Sequence, residues 1–236
     1  MGIDFTVFEC MFQSLKYIEN KCDVLTLGRQ QFHISKDIIN CFLDKNNLSQ
    51  LINNYNYCDF CEKFFKDLGF KNIDSIDNSD YENASIIYNL NNNIPNTFKK
   101  YDYILDFGTT EHVFNIPCVC ENIINLLNIG GIFVSVTPNN NLSGHGFYQF
   151  SPEFYLSTFT LKYGMKIIEL YIGKVGTGFN EWIDVKSFNN GRNNSNFNTL
   201  EPVYIIAIIK KISDNRCSLI KDPPNQYSYE NIDWKK

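Results

Sequence analysis

The chain has no apolar run of 18 residues, the length a helix needs to cross a bilayer, so no membrane span is expected. It has no G-x-G-x-x-G and no Walker lysine motif, which counts against nicotinamide-dependent enzymes and P-loop nucleotidases. Basic residues are in the minority. Twenty-one Lys and Arg stand against 26 Asp and Glu, for a net charge of −5. Broad binding to nucleic acid or to an anionic membrane needs clustered positive charge, so neither partner is expected. The opening segment MGIDFTVFECMFQSLKYIEN carries early acids and no basic stretch ahead of an apolar block. A signal peptide is therefore not expected, and the location reads as cytoplasmic. The eight cysteines, at positions 10, 22, 41, 58, 61, 118, 120 and 217, are too sparse for a secreted disulfide scaffold. Cys58-x-x-Cys61 and Cys118-x-Cys120 have spacings seen in zinc sites, but no His or Cys cluster flanks either pair. The first pair falls in an expected helix, YCDFCEKFFKDLGF, and reduced, mostly buried thiols are the simpler reading.

What is present is core-forming material. Of the 236 residues, 44% are apolar and 15% aromatic, enough for one large domain spanning 1–236. Asn-rich pieces such as NNYNY and NNGRNNSNFN fill loops. Seven short runs read as strands: 23–28, 71–77, 84–90, 101–108, 131–138, 165–173 and 202–211. Several are apolar along their whole length, which marks strands covered on both faces. Helical patterns fill the gaps before the first strand, through 35–69, at PCVCENIINLLN and at SPEFYLSTFTLKYG, where Ser151 is placed to cap and Pro152 to start the helix. This alternation predicts a doubly wound α/β sheet, mostly parallel with an antiparallel last strand. Residues 174–200 form a loop excursion between the last two strands. Trp182 within it either helps close a substrate lid or anchors packing.

Ligands in such sheets bind at the carboxyl ends of the strands, near the reversal in strand order. There the sequence places Gly28-Arg29-Gln30-Gln31-Phe32-His33, then Asp77, Asn89, Gly108-Thr109-Thr110-Glu111-His112, and Gly144-His145-Gly146. All three histidines thus lie just beyond a strand. Asp77 suits the two hydroxyls of a ribose, although turns favour Asp on their own account. Gly28 permits close backbone approach. Glu111 and His112 either do chemistry or begin the next helix, where an acid is favourable. His145 sits among Phe147, Tyr148 and Phe150, which either stack on a sugar face or pack beneath a helix. His33 is assigned only capping or packing.

In combination, Asp77 after the second strand, the segment YDYILDFGTTEHVFN and the LLNIGGIFV hairpin resemble class I S-adenosylmethionine-dependent methyltransferases. The resemblance covers roughly residues 20–210. It implies a seven-stranded Rossmann-like sheet and S-adenosylmethionine as cofactor. It places Gly28, Arg29, Gln30, Asp77, Asn89, Gly108 and Thr109 around that cofactor, with Asn89 near the adenine. GHGFYQFSPEFY further resembles a bacterial subgroup associated with surface polysaccharides. That implies O-methylation of a carbohydrate hydroxyl, with His145, His112 and Glu111 as catalytic residues. Glu111, His112 and His145 also resemble the ligand set of metal-dependent 2′-O-methyltransferases, so a divalent metal is an alternative without commitment. One departure stands out: the family's glycine-rich loop is reduced here to LTLGRQQF, where Arg29 and Gln30 would take over binding of the cofactor carboxylate. A non-catalytic binding module and an N-methyltransferase acting on a small amine remain alternatives. The oligomeric state is open.

Overall fold

The computed structural model describes residues 2–19, 21, 23–185 and 199–225. Eight strands form one sheet: β1 (Asp23–Leu27), β2 (Asn72–Asp77), β3 (Ile86–Ile87), β4 (Tyr101–Asp106), β5 (Leu127–Asn140), β6 (Met165–Lys174), β7 (Ile183–Asp184) and β8 (Val203–Lys211). Their spatial order is β3-β2-β1-β4-β5-β8-β6-β7. β1 to β5 pair in parallel, whereas β8 runs antiparallel to both β5 and β6. The expected doubly wound sheet with an antiparallel far end is therefore present.

The strands are apolar because both faces are covered. Along β4, Ile104 joins one core cluster while Tyr103 and Leu105 join the other. β5 and β8 alternate in the same way, Phe133 and Ile205 against Val134 and Ile206. Period-2 alternation between two dry layers leaves few polar positions mid-strand, and those on β5, Ser135 and Thr137, are hydrogen-bonded to the Tyr155 hydroxyl. One layer is roofed by α1 (Phe5–Leu15), α2 (Lys36–Lys45) and α3 (Glu62–Asp67), through Phe8, Leu43 and Phe64 among others. The opposite layer is roofed by α4 (Ile116–Leu126) and α5 (Pro152–Thr158), through Val119 and Tyr155. Burying an aromatic or branched side chain of this kind contributes roughly 1.5–3 kcal/mol.

Several boundaries differ from the sequence expectation. The sheet has eight strands, not seven, because the two-residue β7 adds an edge inside the 174–200 excursion. The third strand shrinks from 84–90 to Ile86–Ile87, since only two residues find ladder partners on β2. The hairpin expected in LLNIGGIFV is absorbed into β5 as an irregularity, where the register against β4 shifts between Tyr101 and Tyr103. Cys58 does not lie in a helix: it adopts φ +67 in a turn, and α3 begins only at Glu62. Ser151 does cap α5, accepting from the Phe154 N–H, but the helix stops at Thr158. Trp182 packs against the bare face of Gly173 and beside Tyr171 and Phe179, and its indole N–H donates to the Thr177 carbonyl at 3.2 Å. Residues 186–198 of the excursion lie outside the described residues. Among the described residues no helix is long and apolar enough to cross a membrane.

Candidate active site

β1 pairs with β2 on one side and β4 on the other, so strand order reverses at β1. Beyond the paired carboxyl ends of β1 and β4 the chain leaves toward opposite layers, to α2 and to α4, and a crevice opens between the two exits. A cavity of about 430 Å³ occupies it. That volume falls in the range of roughly 300–1,000 Å³ typical of small-molecule sites. Gly28, Arg29, Gln30, Asp77, Asn89, Gly108 and Thr109 all line it, together with His112. The seven residues expected around a cofactor are thus brought to one wall-enclosed space.

The floor is set by Gly28. It adopts φ +68, and a Cβ there would stand 2.8 Å from the Thr109 hydroxyl oxygen. That hydroxyl donates to the Leu27 carbonyl at 2.6 Å, stitching the end of β4 to the end of β1. Only glycine fits both the conformation and the space. Asp77 accepts from the Ser79 N–H at 3.2 Å, which fixes its carboxylate at the rim. Asn89 accepts from the backbone and side chain of Asn91, both at 2.9 Å.

Arg29 and Gln30 differ from the expectation of two uncommitted binding groups. The Arg29 guanidinium stacks over Phe60 at 3.7 Å, donates to Glu62 at 2.6 Å and to the Glu82 carbonyl at 2.7 Å. Its charge is already balanced by Glu62, so it shapes the wall more than it offers a free cation. Gln30 is buried, and its Nε2 donates to the Leu27 carbonyl at 2.7 Å. Its Oε1 is buried and has no protein partner. A buried acceptor left in this state costs free energy that an incoming ammonium or hydroxyl donor would relieve.

Beyond the cavity lies the acid–histidine cluster. Glu111 and His112 fall on a 3-10 turn at Thr110–His112, and the following helix α4 starts only after Asn115. Glu111 is not a helix-start residue: it is 0% exposed, and both carboxylate oxygens lack a hydrogen-bond partner. His145 Nε2 approaches Glu111 Oε1 at 3.5 Å and His112 Nε2 approaches it at 3.8 Å. Those separations exceed good hydrogen-bond distances. Burial, and then the nearby Asp106 charge, push the Glu111 carboxyl up to about 8. Burial lowers both His112 and His145, and the proximity of His145 adds to the shift of His112. Both imidazoles are therefore neutral at neutral pH.

Asp106 was not singled out in the sequence. It ends β4, is fully buried, and accepts from the Thr109 N–H at 3.0 Å, the Thr110 N–H at 3.2 Å, the Thr110 hydroxyl at 2.6 Å and the Ser135 hydroxyl at 3.2 Å. It fixes the turn that carries Glu111 and His112. An acid at the carboxyl end of the strand, directly after the apolar run Tyr103–Leu105, was the available signal. The aromatics after His145 divide. Phe150 is buried in the core, whereas Phe147 is 65% exposed and meets the equally exposed Phe114 edge-on at 5.5 Å. His33 lies under Gly2 and against Tyr57, away from the cavity. Among the described residues the only cluster of three potential metal ligands is Glu111, His112 and His145, so the cysteines form none.

No protein-family model matches the chain, and no curated protein does. Among solved structures it is similar to TehB from Haemophilus influenzae, with 14% identity over 86% of this chain and 62% of that one, at TM-score 0.43. It is similar to the N-methyltransferase NodS from Bradyrhizobium japonicum WM9, with 8% identity over 86% of this chain and 94% of that one, at TM-score 0.41. A third likeness is to the O-methyltransferase of a trans-AT PKS multienzyme from Brevibacillus brevis in complex with S-adenosyl-L-homocysteine, with 14% identity over 87% and 72%, at TM-score 0.41. Likenesses this distant carry no argument about chemistry. The class defined here, a doubly wound Rossmann-like α/β sheet with an antiparallel far end, rests on strand order and pairing.

Proposed function

We propose that the chain is an S-adenosylmethionine-dependent O-methyltransferase acting in the cytoplasm on a carbohydrate hydroxyl of a surface-polysaccharide precursor. The observation that carries the reading is the single cavity at the strand-order reversal, lined by all seven residues expected for the cofactor and bordered by His112 of the acid–histidine cluster. The residues present suit that ligand. Asp77 is placed to accept ribose hydroxyls, and the unpartnered Gln30 Oε1 to accept an ammonium. Gly28 lets the ligand lie against backbone. When bound, S-adenosylmethionine supplies an electrophilic methyl whose C–S bond breaks, the electron pair staying on sulfur, as the acceptor oxygen forms its O–C bond. The protein's tasks are to align the acceptor and remove its proton. Neutral imidazole at His145, beside buried Glu111, has the proton affinity for the second task.

The carbohydrate is the finer part of the reading. It draws on the sequence resemblance and on the exposed Phe114–Phe147 pair beside the cluster, a surface suited to an apolar sugar face. Seven unbonded cysteines among the described residues support a reducing compartment.

Calorimetric titration with S-adenosylhomocysteine tests the core of the reading. Binding that is lost in Asp77→Ala supports it. Absence of binding in the unaltered chain replaces it with a non-catalytic module. A panel of hydroxyl and amine acceptors with labelled methyl donor then separates O- from N-transfer.

A further inference from the structure

We infer that Glu111, His112 and His145 form a binding site for one divalent transition-metal ion of zinc-like ligand preference, with open coordination positions facing the cavity. The inference deepens the transferase reading in the role it gives the ion; ion binding itself does not depend on that reading.

The first observation is an unexplained vacancy of charge. Glu111 is completely buried, and neither carboxylate oxygen meets a donor. Buried carboxylates are otherwise hydrogen-bonded, paired or bound to metal. The second is convergence. His145 Nε2 is itself buried without a partner and lies 3.5 Å from Glu111 Oε1, with His112 Nε2 at 3.8 Å. The three ligand atoms lie within 4.8 Å of one another. Zinc takes imidazole nitrogen and carboxylate oxygen at about 2.0–2.2 Å in a tetrahedron, which sets ligand atoms roughly 3.3–3.5 Å apart. The two measured contacts to Glu111 fit a shared ion better than they fit hydrogen bonds.

The third observation is that the local chain is built to hold this arrangement. His145 lies between Gly144 and Gly146, both at positive φ. A Cβ on Gly146 would meet the Glu111 carbonyl oxygen at 2.9 Å and His112 Nδ1 at 3.1 Å. The loop is then pinned by Phe147 and Tyr148 N–H groups donating to the same Glu111 carbonyl, at 2.8 and 3.3 Å. Two segments from the ends of different strands are thereby clamped so that their side chains face one point. Two imidazoles and one carboxylate are a set that divalent zinc, iron and manganese accept, leaving positions for exogenous oxygen. His112 also lines the cofactor cavity, so those positions border the space the acceptor would enter. An ion held there would occupy the imidazole nitrogens and would lower the pKa of a bound acceptor hydroxyl, easing loss of its proton.

The test uses the full, untagged chain, dialysed against chelator and titrated with Zn²⁺ and with Co²⁺. One equivalent is expected to bind, raising the melting temperature and giving a Co²⁺ absorption spectrum of low coordination number. Glu111→Gln, His112→Ala and His145→Ala should each weaken binding by more than about tenfold, while His33→Ala leaves it unchanged. Far-ultraviolet circular dichroism and the melting temperature of each chelator-treated variant report whether the fold is retained. Sub-stoichiometric Zn²⁺ binding by the unaltered chain, or full binding by a correctly folded His145→Ala, overturns the proposal. Zn²⁺ binding without S-adenosylhomocysteine binding would sink the transferase reading and leave the metal site standing.

Discussion

Phe147 donates its backbone N–H to the carbonyl of Glu111 at 2.8 Å, so the loop carrying His145 is fastened to the turn carrying Glu111 by main chain alone. Gly146 makes the approach achievable, at φ +98 with no Cβ to strike the same carbonyl. Gly146→Ala should therefore separate the two halves of the cluster. A left-handed alanine costs about 1–2 kcal/mol before any clash. Turnover should fall more than tenfold while S-adenosylhomocysteine affinity holds, a split that steady-state kinetics and calorimetry together would reveal. Unchanged turnover would remove the clamp from the account.

Gly28 makes the complementary prediction. Its alanine variant places a methyl 2.8 Å from the Thr109 hydroxyl, which is engaged with Leu27. Strain of about 1–2 kcal/mol corresponds to a loss of five- to thirty-fold in an equilibrium constant. Because the methyl also occupies space at the cavity floor, titration should show a loss of at least about fivefold in S-adenosylhomocysteine affinity, with the Zn²⁺ affinity of the Glu111–His112–His145 cluster intact. Equal affinity for Gly28→Ala and the unaltered chain would mean that the ligand does not approach this backbone.

Asp106 should behave as a keystone of stability. Asp106→Ala strands the buried Thr110 N–H and hydroxyl, takes the partner of the half-buried Thr109 N–H, and leaves Ser135 with Tyr155 alone. Each stranded donor costs about 1–3 kcal/mol unless it finds another partner. Chemical denaturation should show a loss of at least about 3 kcal/mol. A loss under about 1 kcal/mol would show that the turn holds itself without the acid.

These cases mark where the sequence was readable. Apolar runs such as YILDF and IFVSV declared themselves because a strand buried on both faces admits few polar residues. The two-residue strands β3 and β7 carried no such signal, since their pairing is decided by what lies alongside. Gly28, Asp77 and Asn89 were visible as strand-end residues. The commitment of Arg29 to Glu62, 33 positions away, was not, because ion pairs leave no periodicity. The complete burial of Glu111 was not legible, because the 144–148 loop fastened to its carbonyl comes from the end of another strand.

The far end of the sheet offers a pH prediction that leaves the site alone. Lys99 bridges Asp23 at 2.6 Å and Asp74 at 3.1 Å, at the strand ends opposite the cavity. Burial alone would raise the Asp23 carboxyl, but hydrogen bonds from Lys99 and Asn72 outweigh it and hold the group below its ordinary range. A depressed carboxylate stabilises above its unfolded value, about 3.9, and that contribution disappears as pH falls through the lower folded value. Lys99→Met should thus destabilise by up to about 1 kcal/mol at neutral pH, a partly exposed pair being screened by solvent. The difference from the unaltered chain should shrink as pH falls below the ordinary aspartate value of about 3.9. A gap that persists at acid pH would point to packing of the lysine stem instead.

The position of β8 has a consequence for biogenesis. Although it follows every other described strand in the chain, it lies between β5 and β6 and supplies ladder partners to both. Until Val203–Lys211 has emerged from the ribosome, β5 is an open edge and β6 has only the two-residue β7 beside it. A nascent chain halted before that point exposes a long apolar border, the kind of surface that recruits chaperones or seeds aggregation. Assembly of the sheet therefore waits on Val203–Lys211, with β8 entering as the closing wedge.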